Sequence, residues 1–217
     1  MELNDSPRKM LQSGCDRLGI ETRPGMLDQF LAYVDELRRW NRAYNLTAIR
    51  DVRQMIIRHV FDSLVIVPHV SRDLIDVGSG AGLPGIPFAI ARPDVGVRLV
   101  ESNGKRIRFL HAVVRRLALA NVRICPGRVE SACPSAPARV TIVCRAFSSL
   151  ANFIQVTAHM GDTDARWLAM KGKLDPMELQ GLSHGFRLCA TLQVVVPMLD
   201  EERHLVIVER GGDKVDT

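Results

Sequence analysis

The 217-residue chain lacks the patterns typical of membrane proteins, disulfide scaffolds and metal sites. It has no run of about 18 apolar residues, which excludes a transmembrane helix, and its first ten residues lack the apolar segment of a secretory signal. The five cysteines form no C-x-x-C pair, and the six histidines show no metal-ligand spacing. We therefore expect a cytoplasmic protein without structural disulfides or a bound metal. The cysteines are Cys15, Cys125, Cys133, Cys144 and Cys189.

Aromatic residues are also scarce, and basic residues outnumber acidic ones. Aromatics make up 5% of the chain and hydrophobic residues 47%, so we expect an aliphatic core. The net charge is +5 and the pI about 9.2. Six arginines lie between Arg38 and Arg58 with one acid, Asp51, and five basic residues lie between Lys105 and Arg116 with none. Each cluster alone fits a solvated helix face, but two clusters on either side of one cofactor motif favour a surface for a polyanion.

That cofactor motif occupies residues 74–101, LIDVGSGAGLPGIPFAIARPDVGVRLVE. A short apolar run predicts a buried parallel strand. A glycine-rich turn follows, whose backbone a ligand can approach closely, then a helix opened by Pro84 and a second strand ending at Glu101. This order is typical of a nucleotide-type cofactor site, in which the acid lies near ribose hydroxyls. The glycines of the turn are Gly78, Gly80, Gly82 and Gly85.

Two cofactors fit the turn. The spacing Gly80-x-Gly82-x-x-Gly85 matches the dinucleotide fingerprint, whereas Asp76-x-Gly78-x-Gly80-x-Gly82 is common in methyltransferases that use S-adenosylmethionine (AdoMet). An acid beside the turn would repel a pyrophosphate, but it suits AdoMet, which carries an ammonium and a sulfonium. The motif therefore favours AdoMet and leaves a dinucleotide-binding oxidoreductase as an alternative.

The remaining pattern predicts an α/β fold. We interpret residues 1–70 as a helical extension packed on the core, and residues 132–139 as a loop. Five further strands are predicted at residues 121–125, 140–144, 167–170, 192–196 and 205–208. The last two should pair antiparallel because their connection is short. We expect one structural unit with a mainly parallel sheet of seven strands and one reversed strand at its end. Ligands bind beyond the carboxyl ends of such strands, so we expect one crevice formed by residues 78–85, Glu101, residues 127–130, Arg145 and Lys171.

Several motifs, in this order and spacing, resemble those of the RsmG (GidB) family, bacterial AdoMet-dependent methyltransferases that act on guanine N7 in small-subunit (16S) ribosomal RNA. The motifs are DVGSGAGLPGIPFAIARPD, LVESNGKRIRFL, GRVE, CRAF and MKG, with YNLTAIRD and HVFDSL before them and ERHLVIVE after them. The resemblance implies a Rossmann-like class I methyltransferase domain over residues 71–217. It also implies AdoMet as cofactor, with S-adenosylhomocysteine as its product, and 16S rRNA or the small ribosomal subunit as partner. We expect a monomer.

The resemblance implies roles for the residues that match these motifs. Glu101 would bind the ribose hydroxyls, and Arg145 would line the methyl-transfer site as the one candidate for substrate positioning. Its alternative role is a structural salt bridge with Asp76 or Glu130. Cys144 and Arg106 depart from the family, where serine and lysine are usual. The implied cofactor-binding residues are Gly78, Gly80, Gly82, Leu83, Glu101, Val129, Glu130 and Arg145. The candidate RNA contacts are Arg38, Arg39, Arg42, Asn45, Thr47, Arg58, Lys105, Arg106, Arg108, Arg115 and Lys171.

The implied chemistry requires little of the side chains. Guanine N7 carries a free lone pair near neutral pH, so no general base is needed, and the enzyme chiefly positions the reacting atoms. N7 lies in the deep, narrow groove of A-form RNA, so we expect the target guanine in a loop or a deformable segment. Lys171 has the alternative role of a solvated strand end, Asn45 and Thr47 that of turn or cap residues, and Trp40 and Phe147 that of core residues rather than stacking platforms. A methyltransferase of a protein or small molecule and a catalytically silent RNA-binding factor also remain open.

Overall fold

A computed structural model describes residues 6–131, 139–147, 149–179, 181–182 and 184–211. Cys133 and most of the predicted loop 132–139 lie outside these residues. The helical extension begins with α1 (Pro7–Arg17) and α2 (Met26–Tyr44), and α2 ends at Asn45, which adopts the left-handed conformation usual at a helix C-terminus (φ 48°). A second helical run consists of α3 (Val52–Met55), a π-helical segment (Ile56–Phe61) and α4 (Asp62–Leu64). Asp51 caps this run as expected, since its Oδ1 accepts a hydrogen bond from the Gln54 N–H.

The sheet has seven strands in the order β3-β2-β1-β4-β5-β7-β6. Strands β1 to β5 pair parallel with one another, and β7 pairs antiparallel with both β5 and β6. Six strands therefore run in one direction, and β7 alone is reversed. The seven-stranded, mainly parallel sheet with one reversed strand is thus confirmed. The strands are β1 (Asp73–Val77), β2 (Val97–Glu101), β3 (Val122–Pro126), β4 (Val140–Arg145), β5 (Arg166–Lys171), β6 (Phe186–Gln193) and β7 (His204–Arg210). The helices between them are α5 (Gly85–Ala91), α6 (Gly104–Arg116) and α7 (Leu150–Thr157).

Two details of the predicted sheet are wrong. The reversed strand is not at the edge, because β6 adds outside it. The predicted strand at residues 192–196 is in fact β6 at Phe186–Gln193, an edge strand in which Phe186, Leu188, Ala190 and Leu192 alternate with mostly polar residues. The strand was predicted further along the chain because residues 194–196 are a continuous apolar run. It is followed by Pro197, which cannot donate to a ladder, and Val195 is 82% exposed.

The two faces of the sheet pack against different layers. Leu74, Leu99 and Val143 join a large hydrophobic cluster with the helical extension, α5 and α6. Ile75 and Ile142, on the opposite face, join a smaller cluster with α7. Residues 6–70 therefore share a core with the sheet, and Tyr33 and Asp62 of this extension reach the carboxyl ends of its strands. Within the described residues, no helix is long and apolar enough to cross a membrane, and no three metal-ligating side chains lie together.

Candidate active site

The glycines of the turn between β1 and α5 fall into two groups. Gly78 and Gly80 have positive φ angles (68° and 58°), and a Cβ on Gly78 would meet no protein atom within 4 Å. At Gly82 a Cβ would lie 2.4 Å from Ile86, and at Gly85 it would lie 2.3 Å from Leu99. The first pair therefore leaves open space beside the backbone, whereas the second pair is required by the packing of the turn and helix.

Asp76 lies beneath the turn rather than in the open space. Its side chain is fully buried, and Oδ2 accepts a hydrogen bond from the Gly85 N–H at 2.8 Å. Its Oδ1 is buried without a hydrogen-bond partner among the described residues. Burial raises the pKa of this carboxyl to about 7, against the opposing effects of the Gly85 hydrogen bond and the Arg145 charge. Asp76 thus supports the turn, and its partner is not Arg145.

Tyr33 of α2 holds the turn from the other side. Its hydroxyl donates to the Ala81 carbonyl at 2.8 Å, and its ring is fully buried. Burial raises the pKa of this hydroxyl well above its ordinary value, so it stays protonated and remains a donor. This contact was not predicted. Tyr33 lies with Phe30, Val34 and Leu37 on the buried side of α2, and that helical spacing was the available signal, but its partner is 48 residues away.

Glu101, at the end of β2, is held by three backbone donors. Oε2 accepts from the Gly80 N–H (2.8 Å), and Oε1 accepts from the N–H groups of Ser102 (2.9 Å) and Asn103 (2.8 Å). The side chain is 4% exposed, and Arg106 approaches Oε2 at 3.7 Å. These donors fix the carboxylate beside the turn; Oε1 uses both of its lone-pair sites, whereas Oε2 keeps one for a ligand hydroxyl.

A cavity of about 310 Å³, the glycine-turn cavity, lies over these groups. Its floor is formed by Gly78 and Glu101, and Val129, Glu130 and Phe147 line its sides. A fixed carboxylate beside a glycine backbone, with the apolar side chains of Val129 and Phe147 nearby, fits an adenosine group through its ribose hydroxyls and its base. Leu83 is buried and does not line this cavity, so its contact with the cofactor stays a prediction.

A second cavity of about 420 Å³, the arginine cavity, adjoins the first, since Ala146 lines one and Phe147 the other. The residues expected to form one crevice at the strand ends thus divide between two adjoining cavities. Arg145 lines the arginine cavity and not the glycine-turn cavity, so its predicted cofactor contact is untested. The lining residues are Ile49, Arg58, His59, Asp62, Val65, Arg145, Ala146, Met170, Lys171, Gly172, Val194, Arg203, His204 and Leu205.

Arg145 pairs with an acid that the sequence analysis did not consider. Its Nη1 donates to Asp62 Oδ2 and to the Arg58 carbonyl, both at 3.1 Å. The salt bridge given as its alternative role is therefore present, but its partner is Asp62 and not Asp76 or Glu130. Asp62 is buried, and its Oδ1 accepts from Arg203 Nε at 2.8 Å. Arg145 at the end of β4 and Arg203 just before β7 thus share one acid from the helical extension. The motif HVFDSL contains this acid, and that was the signal available in the sequence.

Thr47 and His59 fix the loop that enters the arginine cavity. His59 is buried, and burial, followed by the nearby Arg145 charge, lowers its pKa to about 4. The neutral ring donates from Nδ1 to the Arg58 carbonyl (3.0 Å) and accepts at Nε2 from the Thr47 hydroxyl (2.9 Å). Thr47 Oγ1 in turn accepts from the Ile49 N–H. Thr47 therefore takes the turn-forming role given as its alternative, while its contact with RNA is untested.

Lys171 is not the solvated strand end given as its alternative. Its side chain is 12% exposed, and Nζ donates to Glu178 Oε1 at 2.6 Å. The same oxygen accepts from the Leu150 N–H at 2.8 Å. A contact between Lys171 and a phosphate would thus compete with Glu178, and it remains a prediction.

Comparisons with known proteins identify the family to which this geometry belongs. The family model GidB, described as rRNA small subunit methyltransferase G, matches residues 26–206. The chain belongs to this family. It is 45% identical over 214 residues to the ribosomal RNA small subunit methyltransferase G of Ectopseudomonas mendocina, covering 97% of this chain and 100% of that protein. It is 46% identical over 202 residues to the protein of that name from Pseudomonas paraeruginosa, covering 92% and 94%.

Solved structures agree on the fold. An AdoMet-dependent methyltransferase from Aquifex aeolicus matches with a TM-score of 0.52 and 14% identity, over 73% of this chain and 93% of that one. The glycopeptide N-methyltransferase MtfA matches with a TM-score of 0.58 and 9% identity, over 71% and 88%. The fold is therefore that of the class I methyltransferases, and membership of the GidB family makes the chain an AdoMet-dependent enzyme rather than an oxidoreductase.

The predicted RNA-binding residues of this GidB family member lie mostly on two adjacent helices. The centroid of the Trp40 ring, within the basic part of α2, lies 5.8 Å from that of the Phe109 ring of α6 and 5.3 Å from that of Tyr44. On α6, Arg108, His111 and Arg115 are exposed. Half-buried Trp40 thus bridges the two helices.

These basic residues differ in whether an acid already holds them. Arg38 lies 3.5 Å from Asp35, Arg39 pairs with Glu36, and Arg58 pairs with Glu201. Four of the predicted RNA-binding residues are exposed cations that form no ion pair in the described part of the chain. They are Arg42, Lys105, Arg108 and Arg115. Asn45 is exposed as well, at the end of α2. The four unpaired cations form the free part of the candidate RNA surface.

Proposed function

We propose that this enzyme transfers a methyl group from AdoMet to N7 of a guanine in 16S rRNA. The observation that best supports this proposal is the pair of adjoining cavities at the strand ends. One contains a fixed carboxylate beside an open glycine backbone, and the other is lined by arginines. AdoMet supplies the methyl group as a sulfonium when it is bound. The first cavity suits its adenosine part, and the second, with its positive charge, suits a nucleotide of the RNA.

The cofactor contacts that we propose follow from the glycine-turn cavity. Gly78 and Gly80 leave room for the ligand against the backbone, with Gly82 and Leu83 completing the turn. Glu101 accepts from the ribose hydroxyls, and Val129 and Glu130 lie against the adenine. Support comes from the carboxylate of Glu101, which is already oriented by three backbone N–H groups and needs no rearrangement to accept a hydroxyl.

In the arginine cavity, Arg145 is the candidate for positioning the base. Its guanidinium is held by Asp62 and by the Arg58 carbonyl, so its direction is fixed. Donation to guanine O6, the acceptor beside N7, would orient the reacting edge of the base. The role is one of positioning, because Arg145 stays charged and cannot accept a proton.

Two groups that line the cavity, Asp62 and His59, are unsuited to act as a general base, whereas His204 donates from Nδ1 to the Gly172 carbonyl at 2.8 Å and leaves Nε2 as an acceptor. Asp62 is occupied by two arginines. His59 uses both ring nitrogens in hydrogen bonds, and its pKa of about 4 makes it a poor proton acceptor at neutral pH. This suits an N7 nucleophile, which carries a lone pair and loses no proton when it is methylated. It suits a protonated amine or a hydroxyl less well.

We further propose that the enzyme acts as a monomer in the cytoplasm, where ribosomal subunits are assembled, and that it binds no metal. The RNA surface would comprise the unpaired cations of α2 and α6 together with the residues predicted from the sequence.

The test is transfer of label from AdoMet to separate candidate substrates. We expect incorporation into small-subunit RNA, or into small subunits from cells that lack the enzyme, and none into large-subunit RNA or peptides. Incorporation into peptides alone would overturn the RNA assignment. Binding of RNA without incorporation, at saturating AdoMet, would instead indicate a silent RNA-binding factor.

A further inference from the structure

An ion cluster at the edge of the arginine cavity has an exposed acid at its centre. Glu201 comes from the loop between β6 and β7. Arg58 Nη2 donates to Glu201 Oε1 at 2.5 Å, and Nη1 donates to Oε2 at 3.2 Å. Arg203 Nη2 donates to the same Oε2 at 3.0 Å. One carboxylate therefore engages two guanidinium groups through both of its oxygens.

The charges that line the cavity are unbalanced without this acid. Its lining includes four cations, Arg58, Arg145, Lys171 and Arg203, and one acid, Asp62. Lys171 is paired with Glu178, and Asp62 serves Arg145 and one edge of Arg203. The terminal nitrogens of Arg58 and Arg203 that face Glu201 are thus neutralised by a residue that does not line the cavity.

The two arginines are anchored independently of Glu201. Arg203 donates from Nε to Asp62 (2.8 Å) and from Nη1 to the Glu202 carbonyl (2.8 Å). Arg58 donates from Nε to Gln54 (3.1 Å). Glu201 has no described side-chain contact besides the two arginines, and its side chain is 42% exposed. The acid can therefore leave while both guanidinium groups keep their positions.

We propose that Arg58 and Arg203 form a binding site for an RNA phosphate beside the target nucleotide, and that Glu201 occupies it until RNA arrives. A guanidinium fork accepts carboxylate and phosphate oxygens with the same geometry. A base that enters the arginine cavity carries its phosphates with it, and these would lie at the cavity edge. This proposal rests on the proposed function, because it requires RNA as the substrate.

Internal pairing also gives a reason for selectivity. A phosphate must displace Glu201 before it binds the two arginines. RNA that places no base in the arginine cavity therefore gains little affinity from this site. RNA that seats a base brings its phosphate to the site at a high effective concentration and displaces the acid. The site would then contribute to specific binding more than to binding of arbitrary RNA.

The test compares Glu201→Gln with Glu202→Gln. Both substitutions remove one negative charge from the same exposed loop, but the Glu202 side chain has no partner among the described residues. We expect E201Q to bind an end-labelled 16S rRNA transcript about fivefold more tightly than wild type, the scale of one exposed ion pair. We expect E202Q to change the affinity by less than about twofold, since it alters only the general field.

Two further measurements make the result specific. In an Arg58→Gln background, the gain from E201Q should disappear, because the freed site has lost half of its donors. The affinity for AdoMet should be the same in E201Q and wild type, which separates this site from the cofactor site. Thermal unfolding of each variant checks that the fold is retained. Equal effects of E201Q and E202Q, or a gain that persists without Arg58, would overturn the phosphate site.

The outcome also separates this proposal from the proposed function. If the wild type methylates small-subunit RNA but E201Q and E202Q behave alike, the phosphate site alone is wrong. If the wild type neither binds nor methylates this RNA, both proposals are wrong.

Discussion

At the scale of single residues, Arg145 and Asp62 are the pair on which the proposed positioning of the substrate depends. They are 83 residues apart in the chain, and the hydrogen bond between them fixes the guanidinium at the carboxyl end of β4. Lysine at this position would keep the charge but lose the planar fork that serves Asp62 and the Arg58 carbonyl together.

We therefore expect Arg145→Lys to lower kcat for methyl transfer by on the order of a hundredfold, the scale of a lost positioning contact. The dissociation constant for AdoMet should change by less than about threefold, as the residue lies outside the glycine-turn cavity. Single-turnover rates and calorimetric titration with AdoMet measure the two effects separately. Equal loss of AdoMet binding and of rate would show that Arg145 serves the cofactor instead.

A second residue-scale prediction concerns Asp76. Its pKa in the folded protein is about 7, whereas an unfolded aspartate has a pKa of about 3.9. The folded state then binds the proton more tightly, so this group stabilises the fold fully below about pH 4 and loses that contribution as pH rises to about 7. Asparagine cannot ionise, yet its Oδ1 can still accept from the Gly85 N–H.

We expect the free energy of unfolding of wild type, relative to Asp76→Asn, to fall by on the order of 2 kcal/mol between pH 5 and pH 8. Urea denaturation of both proteins at the two pH values measures this difference, and titrations elsewhere cancel in the comparison. A difference that does not change with pH would contradict the raised pKa.

At the scale of elements, the helical extension is joined to the methyltransferase core through Glu36 of α2. This buried carboxylate accepts hydrogen bonds from Arg39, from Trp40 Nε1 (2.7 Å) and from Arg116 of α6. Burial alone would raise its pKa, but these hydrogen bonds outweigh it and lower the pKa below the ordinary value. The contribution of Glu36 to stability is therefore present at neutral pH and lost as pH falls through its lowered pKa.

We expect Glu36→Gln to lower the free energy of unfolding by about 1–3 kcal/mol at pH 7, because the amide cannot accept from all three donors. The matched control is Asp35→Asn. Asp35 also contacts Arg116 (3.2 Å), but it is 50% exposed, so we expect a loss within about 0.5 kcal/mol. Urea denaturation measures both, and equal losses would show that burial of the carboxylate is unimportant.

The elements also show which parts of the structure could be predicted from the sequence. The glycine turn and Glu101 lie within one strand–turn–helix–strand unit, where local spacing determines the geometry, and the sequence predicted that unit. Pairing across the chain, such as Arg145 with Asp62, depends on how the extension packs over the strand ends, which no local pattern encodes. Edge strand β6 was misplaced for a different reason: its alternating pattern at residues 186–193 was available, but the continuous apolar run at residues 194–196 was taken as the strand.

At the scale of the whole molecule, α6, the helix that follows Glu101, carries exposed positive charge. Lys105, Arg108 and Arg115 project from α6 without acid partners in the described part of the chain. RNA phosphates bound there release counterions, so binding should weaken steeply with salt. Arg187, an exposed arginine at the start of β6, pairs with Glu209 at the opposite end of the sheet from the cavities.

We expect the affinity for 16S rRNA to fall by about tenfold or more between 50 and 200 mM salt. Replacing Lys105, Arg108 and Arg115 together by Gln should reduce the slope of log K against log salt by about 2, whereas Arg187→Gln should leave it unchanged. Filter binding over a salt series gives these slopes. A wild-type affinity that is independent of salt would sink the proposed RNA surface.

The most direct test of the account is to locate the methyl group. The protein is incubated with labelled AdoMet and small subunits that lack the modification, and the RNA is then cleaved with aniline, which cuts at N7-methylguanine. The account predicts label in the RNA and cleavage at one guanine. Label in the RNA without any aniline-sensitive guanine would contradict methylation at N7, and no label despite AdoMet binding would contradict the RNA substrate itself.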